Sequence, residues 1–119
     1  MSIAIVDDDE AVREATKTLV RSLGYNASMF ASAEEFLNSE QFGNTSCLIT
    51  DLQMPGLSGI DLQDRLIASG HRIPVIFITG FPDDTARTRA MKAGAVCFLS
   101  KPYDADQLLG YIDKALKAA

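Results

Sequence analysis

Residues 48–56 read LITDLQMPG: an apolar run stops at one carboxylate, Asp51, and passes into a segment holding Pro55 and Gly56. A carboxylate at the end of a buried strand is costly to desolvate unless a partner meets it. Asp51 is therefore either capping a turn or awaiting a charge. What else the chain delivers to the same place decides between the two.

Outward from this stretch, five short apolar runs alternate with helical patterns: residues 3–6, 27–30, 47–50, 75–78 and 96–99. That alternation predicts βα units and a parallel sheet. Between the first two runs, Val12, Ala15, Leu19 and Leu23 fall near helical spacing, with Gly24 as a C-terminal stop. SAEE at 32–35 and SGID at 58–61 each set a hydroxyl three residues before an acid, the capping-box arrangement, and open helices two and three. A fourth helix is expected over 84–93, stopped by Gly94, and a fifth from about Asp104, burying Leu108, Ile112 and Leu116.

The second run, within YNASMF, is the most polar and suits an edge strand, whereas runs one, three and four are apolar throughout, as burial on both faces requires. The expectation is an α/β, flavodoxin-like, doubly wound five-stranded parallel sheet in the order 2-1-3-4-5 with helices on both faces. In such folds ligands bind beyond the carboxyl ends of the strands at the switch point, here between strands one and three.

With 119 residues, 47% of them hydrophobic, the chain suits one domain with a real core, residues 1–119. No run approaches the roughly 18 apolar residues of a membrane span and no charged-then-apolar leader opens the chain, so a soluble cytoplasmic protein without membrane contact is expected. A net charge of −5 argues against direct nucleic-acid binding by this piece. Cys47 and Cys97 read as buried free thiols, and His71, within the polar SGHRIP, as a solvated loop residue.

Strand one ends in Asp7, Asp8 and Asp9, strand three in Asp51, strand four in Thr79 and Gly80, and strand five runs into Lys101 and Pro102. Right-handed βα connections bring all of these to one rim. Two carboxylates about 4 Å apart repel by roughly 4 kcal/mol at an effective dielectric near 20, so a positive partner is required. Lys101 supplies one charge, and a hard divalent cation such as Mg²⁺ supplies two while sharing phosphate oxygens with a substrate. So neutralised, Asp51 could attack phosphorus and become an aspartyl phosphate, with Thr79 offering it a hydroxyl.

VDDDEAVR at 6–13, TDLQMPGLSG at 50–59, ITG at 78–80 and KP at 101–102 resemble the receiver domain of two-component response regulators, and MKAGAVCFLSKP at 91–102 is most similar to FixJ-type receivers. The resemblance spans nearly the whole chain. It implies a CheY-like fold with Asp51 as phosphoacceptor, Asp7 and Asp8 as the acidic pocket, and Mg²⁺ held by Asp8, Asp51 and the backbone carbonyl of Gln53, with Asp7 acting through water. It implies Thr79 as the switch hydroxyl, Lys101 as the phosphate-contacting lysine, Phe98 as the aromatic switch and a cis peptide before Pro102. Asp9 falls outside that pattern and is expected to cap helix one.

The implied partners are a sensor histidine kinase as donor, a homodimer through helix four, strand five and helix five, and, unless the receiver stands alone, a C-terminal DNA-binding output domain of a longer transcription regulator. Arg87, Arg89, Lys92 and Lys114 give that dimer face a local basic excess, which a solvated surface explains as well. The chain departs from FixJ-type receivers at Phe81 and Pro82; proline fixes φ and would stiffen the loop that moves Thr79. Two other readings compete. VDDDEA has the Asp-x-Asp spacing of haloacid dehalogenase-type phosphatases, with Asp83 and Asp84 imitating their later acid pair, but Ala11 and the late position of Lys101 fit that pattern badly. A receiver-like binding module that works without phosphorylation is the other.

Overall fold

The computed structural model describes residues 2–40, 42–81 and 83–117, so Pro82 and whatever follows residue 117 lie outside the described residues. The chain runs β1 (Ser2–Val6), α1 (Glu10–Ser22), β2 (Asn26–Phe30), α2 (Ala33–Leu37), a 3-10 turn (Phe42–Asn44), β3 (Cys47–Asp51), α3 (Gly59–Ala68), β4 (Val75–Thr79), α4 (Asp84–Lys92), β5 (Cys97–Ser100) and α5 (Ala105–Lys117). All strand pairings are parallel, in the order β2-β1-β3-β4-β5. The doubly wound sheet read from the apolar runs is the one observed. Among the described residues no helix is long and apolar enough to cross a membrane.

Alternation along each strand divides the core into two layers. Ala4, Val6, Leu48 and Phe77 face α2, α3 and α4 through Phe36, Leu62, Leu66 and Ala90. Ile3, Ile5, Ile49, Ile76 and Ile78 face the other way, onto Val20 of α1 and Leu108 and Ile112 of α5. Cys47 and Cys97 lie in this second layer as free thiols, and burial pushes each up to about 12.

The caps are mostly as the sequence suggests. Asp9 Oδ1 accepts from the amides of Ala11 and Val12 at 2.9 and 3.3 Å and starts α1. At α3 the capping box is complete: Ser58 Oγ takes the Asp61 amide, and Asp61 returns a carboxylate oxygen to the Ser58 amide, both at 3.1 Å. At α2 Ser32 accepts from the Glu35 amide at 3.1 Å. Five residues are too few to hold a helix alone, and α2 is kept in place by Phe36, whose ring meets Phe30 and Phe42 edge-on at 5.3 and 5.5 Å.

Two local expectations need correction. The buried face of α1 centres on Thr16 and Val20, with Val12 and Leu19 half-buried, whereas Ala15 and Leu23 face solvent. The stripe is rotated because a polar residue, Thr16, occupies an inner position. His71 sits in a loop, but it is half-buried with its ring 4.5 Å from that of Phe42 and its Nδ1 enclosed without a hydrogen-bond partner among the described residues.

Candidate functional site

Strand register assembles the site. Val6 pairs with Thr50, so Asp7 emerges level with Asp51, and Asp51 in turn pairs with Ile78, one residue before Thr79. Thr79 pairs with Ser100, so Lys101 leaves the sheet on the same rim. The backbone amide of Lys101 donates to the Thr79 carbonyl at 2.6 Å, extending the β4–β5 pairing by one step. The Lys101–Pro102 peptide is cis.

Asp7 is fully buried and Asp51 is 6% exposed, while Asp8 faces solvent. One carboxylate oxygen of each lies within 4.8 Å of the others. Lys101 Nζ donates to Asp7 Oδ2 at 3.1 Å and to Asp51 Oδ2 at 3.3 Å. The Asp9 amide donates to Asp7 Oδ1 at 2.9 Å, and the Gln53 amide reaches Asp51 Oδ1 at 3.4 Å. Gln53 itself is exposed at the mouth of the cluster.

Burial raises the Asp7 carboxyl above its ordinary value, against the pull of the Asp9 amide and the Lys101 ammonium, and the neighbouring Asp51 charge adds to the rise. On Lys101 burial acts downward, but the hydrogen bonds and charges of Asp7 and Asp51 outweigh it and hold the ammonium above its ordinary value. Lys101 is thus a fixed cation shared by two buried acids. Three carboxyl groups facing one ammonium leave the pocket net negative, with hard oxygen donors close enough together to share one small divalent ion. That donor set fits Mg²⁺.

Thr79 is fully buried, and its hydroxyl is engaged with its own loop: Oγ1 accepts from the Phe81 amide at 3.0 Å. The Phe81 side chain stands 71% exposed beside it. Phe98 is half-buried on β5, its ring centroid 6.0 Å from that of Phe77, and packs on the α4 side of the sheet. Asp83 and Asp84 are not part of the cluster. Asp83 caps α4 by accepting from the Thr85 and Ala86 amides, and Asp84 is the helix's exposed first residue, so the later acid pair of the phosphatase reading is spent on a helix start.

Three contributors escaped sequence reasoning. Gly59, at the start of α3, lies so close to the Asp51 backbone that a Cβ there would collide with the Asp51 carbonyl oxygen. Only its place next to the capping Ser58 hinted at a tight junction. Gly56 has φ of +79° and abuts the Glu34 carboxylate, which accepts the Leu57 amide at 3.3 Å and so ties α2 to the loop after Asp51. Arg13 Nη1 donates to the Asp7 carbonyl at 2.6 Å, a contact no local pattern announces. A groove of about 760 Å³ lies at the other end of the sheet among Gln63, Ile67, His71 and Lys114, away from the acids.

Comparison with known proteins agrees with this architecture. The family model for the response regulator receiver domain matches residues 3–113. The response regulator protein TodT of Pseudomonas putida is 48% identical over 117 residues, which are 98% of this chain and 52% of TodT. The transcriptional regulatory protein FixJ of Bradyrhizobium diazoefficiens is 37% identical over 117 residues, 98% of this chain and 57% of FixJ. The solved structure of the response regulator StyR superposes with a TM-score of 0.91 at 42% identity, covering 98% of this chain and 59% of that one. The chain thus spans about half the length of the curated relatives it matches.

Proposed function

Because the chain belongs to the receiver domains of two-component response regulators, we propose that it accepts a phosphoryl group on Asp51 from the phosphohistidine of a sensor histidine kinase. The observation that most supports this is the pairing of a nearly buried Asp51 with the Lys101 ammonium, 3.3 Å away, inside a cluster of three carboxyl groups.

In this reading an Asp51 carboxylate oxygen bonds to phosphorus as the P–N bond to the kinase imidazole breaks and its electron pair leaves with the ring nitrogen. Asp8, Asp51 and the Gln53 carbonyl are the residues that would hold Mg²⁺, with Asp7 acting through water. When bound, the ion supplies positive charge against the phosphoryl oxygens during transfer. Lys101 exchanges a carboxylate oxygen for a phosphoryl oxygen. Thr79, whose hydroxyl now meets the Phe81 backbone, turns to the phosphoryl group instead. These charge-assisted bonds form in one state only, which is the condition for shifting a two-state equilibrium.

Phe98 has no hydroxyl and reports the change through apolar packing. The readout face is α4, β5 and α5, used for homodimer formation. The output is transcription through a C-terminal DNA-binding domain, a reading supported by the name of the relative FixJ and by the relatives' greater length. The receiver works in the cytoplasm and acts on no external substrate, catalysing only its own phosphorylation and dephosphorylation.

Intact mass after incubation with acetyl phosphate, with and without Mg²⁺, tests the reading on wild type and Asp51→Asn. One phosphoryl adduct that needs both Mg²⁺ and Asp51 is expected. An adduct on Asp51→Asn, or none on wild type with Mg²⁺ bound, would reject it.

A further inference from the structure

Thr16 is fully buried in α1, at a position where an amphipathic helix ordinarily holds an apolar side chain. Its hydroxyl lies 2.7 Å from the Tyr103 hydroxyl, 87 residues away in sequence. Tyr103 stands two residues after Lys101, half-buried against the α1 and α5 side of the sheet. The segment carrying Lys101 is therefore held at both ends. Its amide is pinned to the Thr79 carbonyl at 2.6 Å, and Tyr103 is pinned to α1.

The same helix also holds the opposite wall. Arg13 Nη1 donates to the Asp7 carbonyl at 2.6 Å. Residues 13 and 16 are three apart, hence neighbours on one helical face. One turn of α1 thus grips the backbone that carries Asp7 and the loop that carries Lys101, the two groups that meet at 3.1 Å across the site. Neither contact is explained by helix stability. A Thr at an inner helix position is a poorer choice than an aliphatic residue unless its hydroxyl has a partner.

We propose that Arg13 and Thr16, with Tyr103, are positioning residues that set the Lys101 ammonium against Asp7 and Asp51. The proposal rests on the reading of Lys101 as the cation that meets the phosphoryl group, but its geometric part can be measured without phosphorylation.

The test is the double variant Thr16→Val with Tyr103→Phe, which removes both hydroxyls and leaves no unpartnered polar atom behind, set beside the conservative Thr16→Ser. The first readout is the rate of reductive methylation at Lys101, followed by peptide mass spectrometry with exposed Lys117 as internal reference. Lys101 in the double variant is expected to react about tenfold faster than in wild type while Lys117 is unchanged, and Thr16→Ser to stay near wild type. The second readout is phosphorylation by acetyl phosphate: the rate at saturating donor falls about tenfold while the donor KM stays within about twofold, as for a misplaced group that touches the reacting atoms rather than a lost binding contact. Should the double variant not fold, Arg13→Gln carries the same two readouts. Unchanged Lys101 methylation, or a rise shared by Lys117, overturns the proposal. A wild-type chain that takes no phosphoryl group overturns the functional reading alone, because methylation still decides the positioning.

Discussion

Asp7 and Asp51 share a single ammonium, and the sign of each group's shift says what that sharing does to stability. Asp7 titrates above its ordinary 3.8 in the folded protein because burial disfavours its charge. Stability from this group is therefore present below that ordinary value and declines as pH rises through the raised folded one. Lys101 is also raised, above 10.5, so its contribution is present throughout the neutral range and is lost only as the solution becomes strongly alkaline. At pH 7 an ionised Asp7 is thus a net cost, which Asp7→Asn relieves. The variant is expected to be more stable than wild type at pH 7, with the gain shrinking as pH falls and wild-type Asp7 takes up its proton. Urea unfolding at several pH values checks this; a destabilised variant at neutral pH, or a gain that ignores pH, would contradict the shared-ammonium picture.

At the scale of elements, the junction between β3 and α3 concentrates the constraint. Ser58 and Asp61 close a capping box, and Gly59 presses its bare Cα against the carbonyl of Asp51. Gly59→Ala forces that carbonyl or the helix start to move, and is expected to cost about 2 kcal/mol and to slow phosphorylation of Asp51, whereas Ser58→Ala should cost about 1 kcal/mol and leave the rate near wild type. Denaturation midpoints and phosphorylation rates on the two variants separate close approach from capping; equal rates would show that Gly59 does not position Asp51. The strands and the acids were legible in the sequence because each apolar run stops at a polar residue and parallel register does the rest. Asp7, Asp51, Thr79 and Lys101 then had only one rim to reach. What stayed hidden depends on long-range partners. Thr16 looks like a defect in an amphipathic stripe until Tyr103 is beside it, Arg13 looks solvated until it meets the Asp7 carbonyl, and His71 reads as a loop residue until Phe42 covers its ring.

For the whole molecule, the acids gather at the carboxyl end of the sheet while an exposed basic strip, including Arg87 and Lys92, runs along α4. Arg89, read from the sequence as part of that strip, is instead drawn to Asp64 of α3 at 2.5 Å. A net charge of −5 disfavours self-association, so dimer formation through α4, β5 and α5 is expected only after phosphorylation has shifted that face. Sedimentation velocity of the fully phosphorylated chain should show a larger species that reverts as the phosphoryl group is lost; an unchanged monomer would remove the dimer from the account. All of this hangs on one bond between Asp51 and phosphorus. The most direct measurement is borohydride reduction of the phosphorylated chain followed by peptide mapping, because an acyl phosphate at an aspartate is reduced to homoserine in place. Homoserine at position 51 and at no other acid is the predicted result; homoserine at position 7, or none after a phosphoryl adduct has been seen, would contradict it.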